Sequence, residues 1–155
     1  MKRLIYNDLL KWKMSSDRKP LILLGARQVG KTYILQDFGE REFKNMVYVN
    51  CHQNEFTNNL FRDLMTNRIV TELERFFETQ IIPNETLLIF DEIQEAHNGI
   101  ASLKYFCEEM PQLHVIAAGS QQFLHAISLG DGHGLLPDLV VGRVQGHAQR
   151  DRQVL

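Results

Sequence analysis

The eight residues GARQVGKT, Gly25 to Thr32, constrain the fold more than any other feature of this 155-residue chain. They fit the pattern GxxxxGK[ST] and stand between the apolar run Leu21 to Leu24 and a segment that opens a helix near Lys31. The chemistry of the pattern needs that context. Glycines let the loop backbone curl around phosphate oxygens, and the positive end of the following helix dipole faces the same charge. Such a loop requires a buried strand before it and a packed helix after it, which implies an α/β sheet. On this reading Gly25, Ala26, Arg27, Gln28, Val29, Gly30, Lys31, Thr32 and Tyr33 form the nucleotide-binding set. Lys31 reaches the β- and γ-phosphates as a catalytic cation, and Thr32 offers its hydroxyl to magnesium. The plain alternative is a glycine-rich turn between strand and helix.

The rest of the chain alternates in the same way. Ile5, Leu9 and Trp12 mark one face of an amphipathic helix over residues 3–14. A helix from Lys31 to about Phe38 is expected to stop at Gly39, and Met46 to Val49 make a second strand. From Asn58 to Phe77 the residues Phe61, Met65, Ile69, Leu73 and Phe76 predict one long helix with a core-facing stripe. Leu87 to Phe90 form a third strand. Ile100, Leu103, Phe106, Cys107 and Met110 mark a helix closed by Pro111, and Val115 to Ala118 form a fourth strand. Strands separated by helices predict a three-layer α/β/α architecture with a mostly parallel sheet. Its last strand is either missing or a makeshift one from Leu139 to Val144, the one strand candidate in a tail that holds five of the ten glycines and no aromatic residue.

With 44% hydrophobic and 23% charged residues, the composition is that of one globular domain, residues 1–128. Within it, residues 1–19 are the amphipathic helix and a linker, and residues 129–155 are a glycine-rich tail lacking core-forming residues. A net charge of −2 supplies no field for nucleic acid unaided. The cluster Lys2, Arg3, Lys11, Lys13, Arg18 and Lys19 reads as a solvated helix face, with a phosphate backbone as the alternative partner. Two cysteines without a CxxC pair suggest a reducing compartment. No signal peptide or membrane-length apolar run is present, so a cytoplasmic location with no membrane partner is expected. The histidines fall at no metal-ligand spacing, and Cys51-His52, adjacent on an extended chain, point to opposite faces.

Two further stretches carry chemistry. LLIFDEIQE, Leu87 to Glu95, ends a buried strand in two acids at the sheet edge where α/β sheets bind ligands. Asp91 would hold magnesium, directly or through water, and Glu92 would polarise a water for attack on the γ-phosphate. Taken alone, Asp91 could equally cap the next turn. HVIAAGS ends a strand at Ser120, where a hydroxyl could bond the attacking water or the γ-phosphate; a Gly-Ser turn is the alternative.

Trp12, PLILLGARQVGKT, LLIFDEIQE, SLKYFCEE and VIAAGS are similar to stretches typical of bacterial and archaeal AAA-type P-loop ATPases with an uncharacterised, sometimes nuclease-like, C-terminal domain. The resemblance spans Arg3 to about Ser120, and Arg27 and Gln28 are distinctive in it. It implies a P-loop NTPase fold, ATP as ligand, Walker A and Walker B motifs, magnesium at Thr32 and Asp91, and a catalytic Glu92. It also implies a fifth strand beside the loop strand and a large further domain, so the chain resembles the ATPase part of a longer protein, truncated or frameshifted. Arg143 is the one tail candidate for an arginine finger, which a second copy often supplies. Three functions follow: ATP hydrolysis; a nucleotide-binding switch with little turnover; and a small-molecule kinase, which the adjacent Asp91-Glu92 pair suits less well than water activation.

Overall fold

The computed structural model describes residues 2–25, 30–52, 55–120 and 140–143. In chain order the elements are α1 (Lys2–Met14), β1 (Leu21–Leu24), α2 (Lys31–Glu42), β2 (Asn45–Asn50), α3 (Glu55–Leu60), α4 (Thr66–Phe77), β3 (Thr86–Asp91), a 3-10 turn (Ile93–Glu95), α5 (Gly99–Glu109), β4 (His114–Gly119) and β5 (Val140–Arg143). The strands form one five-stranded sheet in the order β2-β3-β4-β1-β5, with every pairing parallel.

The sheet is apolar on both faces because its central strands alternate between two cores. Ile22, Leu24, Leu88, Phe90, Val115 and Ala117 pack with Leu60, Phe61, Ile69, Leu73, Leu103 and Phe106 from α4, α5 and the α3 region. Leu21, Leu23, Leu87, Ile89, Ile116 and Ala118 pack on the opposite face with Ile5, Leu9 and Trp12 of α1 and Ile34, Leu35 and Phe38 of α2. This is a three-layer α/β/α fold with a parallel sheet. Burial of each large side chain contributes about 1.5–3 kcal/mol against the entropy of ordering the chain.

Three expectations need correction. First, α2 runs through Gly39 to Glu42. A Cβ on Gly39 would lie 2.4 Å from Met46 Sδ, so the bare backbone serves close helix–sheet packing rather than a stop. Second, the single helix expected from Asn58 to Phe77 is two. Leu64 adopts a left-handed φ of 52°, and the Met65 N–H donates to Asp63 Oδ1. Arg68 ties the corner together by donating to Asp63, Glu72 and the Leu60 carbonyl. The break directs Phe61 into the core and leaves Met65 and Phe76 exposed, with Phe76 stacked on Phe56 at 4.0 Å. Third, two members of the basic cluster are not simply solvated. Arg18 donates to the carbonyls of Lys13, Pro111 and Gln112, and Lys13 donates to the Glu42 carbonyl while lying over the Phe43 ring.

The strand candidate in the tail does pair: β5 lies beside β1, with Leu21 opposite Val140 and Leu24 opposite Arg143. The remainder of the expected tail, 129–139 and 144–155, lies outside the described residues. Among the described residues no helix is long and apolar enough to cross a membrane.

Candidate functional site

Parallel pairing brings the C-terminal ends of β1, β3 and β4 to one edge of the sheet, and the candidate residues follow those ends. Gly25 leaves β1 with its N–H donating to the Gly119 carbonyl at 3.2 Å, which holds the loop's start against β4. Ala26, Arg27, Gln28 and Val29 lie outside the described residues. Gly30 re-enters at φ 87° and ψ 17°, a left-handed conformation that glycine adopts without strain, and its carbonyl accepts the Ile34 N–H to start α2.

Lys31, the first residue of α2, is only 5% exposed, and its Nζ donates to the Gly25 carbonyl at 2.7 Å. Thr32 Oγ1 donates to Asp91 Oδ2 at 2.6 Å, linking the loop to the end of β3 across 59 positions of sequence. Asp91 is itself buried and held from several sides. Its Oδ1 accepts the Glu92 N–H at 3.0 Å, its Oδ2 accepts the Tyr48 hydroxyl at 2.5 Å, and its carbonyl accepts the Cys51 N–H at 2.9 Å.

Glu92 turns the chain at φ 52° and ψ 45° into the 3-10 turn, and its Oε2 accepts Gln94 Nε2 at 2.5 Å. With Gly30, Lys31, Thr32, Tyr33 and Gln36 it lines a cleft of about 410 Å³. Ser120 directly follows β4 at the same edge, half-buried. The cleft thus gathers Lys31, Thr32, Tyr33 and Glu92, with Asp91 bonded to Thr32 beneath them. Arg143 is placed by its backbone alone, opposite Leu24 and so beside the residue preceding Gly25.

Burial raises the pKa of two neighbours. The Tyr48 hydroxyl is pushed well above its ordinary value by burial first and by its bond to Asp91 second. The Cys51 thiol is pushed up to about 12 by burial, with the charges of Asp91 and Glu92 adding to it, so it stays a thiol. His52 faces Glu95 at 4.0 Å rather than Cys51.

Sequence reasoning missed Tyr48, Gln36 and Gln94. Parity along β2 carries a faint signal for the first, since Tyr48 sits opposite Ile89, two positions before the Asn50–Asp91 pair. Gln94 stands two residues after the candidate base, a spacing that acquires meaning only once the 3-10 turn folds it back. Gln36 follows Thr32 by one helical turn.

The sequence pattern of a family described as an AAA domain matches residues 17–131. No curated protein matches the chain in sequence. Among solved structures, the Aeropyrum pernix ORC1 protein in complex with DNA aligns at 13% identity and a TM-score of 0.56, covering 90% of this chain and 43% of that one. The Aeropyrum pernix ORC2 protein, solved as ADPNP-ADP complexes, aligns at 15% and 0.55, covering 93% and 45%. Drosophila ORC bound to AT-rich DNA and Cdc6 aligns at 15% and 0.57, covering 94% and 56%. At these identities the likeness is one of fold, and the chain spans about half the length of the solved chains it matches.

Proposed function

Because the chain belongs to the AAA domain family, and is thereby a P-loop ATPase-type nucleotide-binding module, we propose that it takes up ATP with magnesium and hydrolyses it to ADP and phosphate. The observation that carries this reading is the Thr32–Asp91 hydrogen bond. It joins the phosphate-loop hydroxyl to the strand-end acid in a part-buried, oxygen-only pair, the donor chemistry that suits magnesium, which takes few protein ligands and keeps much of its water. Thr32 and Asp91 would hold the ion, whose bound charge would offset that developing on the phosphates.

The other roles follow from position. Lys31 exchanges its bond to the Gly25 carbonyl for phosphate oxygens, assisted by the N-terminal dipole of α2. Glu92, in the cleft wall, accepts a proton as water oxygen bonds to the γ-phosphorus and the bond from that phosphorus to the β–γ bridging oxygen breaks. Ser120, which follows β4 at the same edge, is assigned the bond to the water or the γ-phosphate. The nucleotide-binding set is Gly25 to Tyr33, within a domain of residues 1–128.

The test is magnesium-dependent phosphate release from ATP by the purified protein over a range of concentrations, beside Lys31→Ala and Glu92→Gln. Turnover lost in both variants, with ATP binding retained in Glu92→Gln, supports hydrolysis. Turnover rising faster than linearly with concentration would point to a homo-oligomer that completes the site.

A second reading, a nucleotide-binding switch with little turnover, is favoured by one observation. Gln94 already engages one oxygen, Oε2, of the Glu92 carboxylate. ATP bound by the wild type with no phosphate released at any concentration would select it. A DNA partner, named for the ORC1 and Drosophila ORC structures, is not proposed for a chain of net charge −2.

A further inference from the structure

Asp91 carries more hydrogen bonds than a capping role needs, and one donor to its carboxylate comes from neither the phosphate loop nor the DEIQ segment. We propose that Tyr48 is a positioning residue that acts through Asp91 and sets how strongly magnesium tightens nucleotide binding. The proposal rests on the nucleotide-binding reading above and adds a residue to it.

A carboxylate oxygen offers about two acceptor directions. On Asp91 Oδ2 both are taken by hydroxyl donors, Thr32 at 2.6 Å and Tyr48 at 2.5 Å, while Oδ1 takes the Glu92 N–H at 3.0 Å. Thr32 can donate its proton to Asp91 and still present oxygen lone pairs, so it serves carboxylate and cation together. The Tyr48 ring comes from β2, the strand next to β3, and packs half-buried on the α1–α2 face, with its hydroxyl against Thr32 as well as Asp91. Its hydroxyl therefore fixes where the Oδ2 lone pairs point. Were magnesium to bind here, Thr32 and Asp91 would hold it, and the Tyr48 hydroxyl would limit how the Asp91 carboxylate turns toward it. Partners of this kind, one bond removed from the metal, commonly change metal affinity 10- to 100-fold.

The test measures ADP affinity by calorimetry with excess magnesium and again with a chelator, for the wild type and Tyr48→Phe, which keeps the ring and removes only the hydroxyl. The expected result is an unchanged ADP affinity in chelator and a magnesium-dependent tightening reduced about tenfold. Manganese in place of magnesium, followed by its paramagnetic resonance signal, reads the ion directly and should show the same loss.

Equal tightening in both proteins overturns the proposal. So does a loss of ADP affinity of the same size with and without the ion, because that is the signature of a packing defect. A wild type that binds ADP but gains nothing from magnesium also overturns it and leaves nucleotide binding standing. A wild type that binds no ADP under either condition overturns the nucleotide reading as well.

Discussion

The Lys31 ammonium donates to the Gly25 carbonyl at 2.7 Å, tying the two ends of the loop across six positions of sequence. Because Lys31 is only 5% exposed, this bond partly replaces the water its charge has lost. Phosphate would compete for the same ammonium with a stronger, doubly charged hydrogen bond. Lys31→Ala is therefore expected to weaken ATP binding roughly 10- to 100-fold, the worth of one or two charge-assisted hydrogen bonds. Calorimetric titration with ATP measures it, and an affinity within twofold of wild type would assign the binding to the loop backbone alone.

Gln94 holds the Glu92 carboxylate through a 2.5 Å hydrogen bond from its amide. If Glu92 is the base, loosening it spreads the carboxylate over orientations that do not meet the water. Gln94→Ala should lower kcat about tenfold and leave KM for ATP unchanged, as read from steady-state phosphate release. An increased kcat would show instead that Gln94 restrains the base, as the switch reading requires.

Gly99 opens α5 directly beneath the turn that follows Glu92. A Cβ there would lie 2.8 Å from the Ile93 carbonyl oxygen and 2.9 Å from Ile93 Cγ1. The backbone oxygen cannot swing aside as a side-chain tip can, so Gly99→Ala should cost about 1–3 kcal/mol in urea unfolding. Helix propensity alone would predict a gain of about 1 kcal/mol, which makes the sign of the change decisive.

His114 is buried between the rings of Trp12 and Phe43, with centroid distances of 5.6 and 5.0 Å. Burial, with the nearby Arg18 and Lys13 charges adding to it, pushes its pKa down to about 4, against the opposing pull of its contact with the Lys13 carbonyl. The unfolded chain, titrating near 6.5, binds the proton first. Stability from this residue is therefore complete above pH 6.5 and is lost as pH falls through 6.5 toward 4. His114→Leu should flatten the stability curve over that window by on the order of 2 kcal/mol, measured by urea titration at pH 7.5 and 4.5. Equal slopes in the two proteins would place the acid sensitivity among the carboxylates.

That Gly30 to Thr32, the strand-end acids and Ser120 would meet at one sheet edge was legible because the strands beside them are unbroken apolar runs, and burial on both faces of a parallel sheet writes such runs plainly into the sequence. The α3–α4 corner was hidden because Phe61, Met65, Ile69, Leu73 and Phe76 keep helical spacing through it. What decides the break is the left-handed Leu64 and the Asp63–Arg68 pair, neither of which alters the apolar period. Gly39 misled for the opposite reason. Its local preference to end a helix lost to packing against Met46, a contact no local window contains. Tyr48 left only the faint parity signal along β2, since its partner lies 43 positions away on the neighbouring strand.

The strand that launches the phosphate loop also pairs with the most distant segments of the chain. Leu21 meets Ile116, 95 positions on, and Val140, 119 positions on. Closing loops of that length precedes any reward from the contacts they create, and pairings of such separation form slowly. β2 and β3, whose partners Asn45 and Thr86 lie 41 positions apart, can zip earlier. During synthesis on a ribosome the loop is made well before Arg143, so its supporting strand gains the β5 neighbour long after the loop itself exists. The support under the candidate phosphate loop is thus completed late relative to the loop it carries.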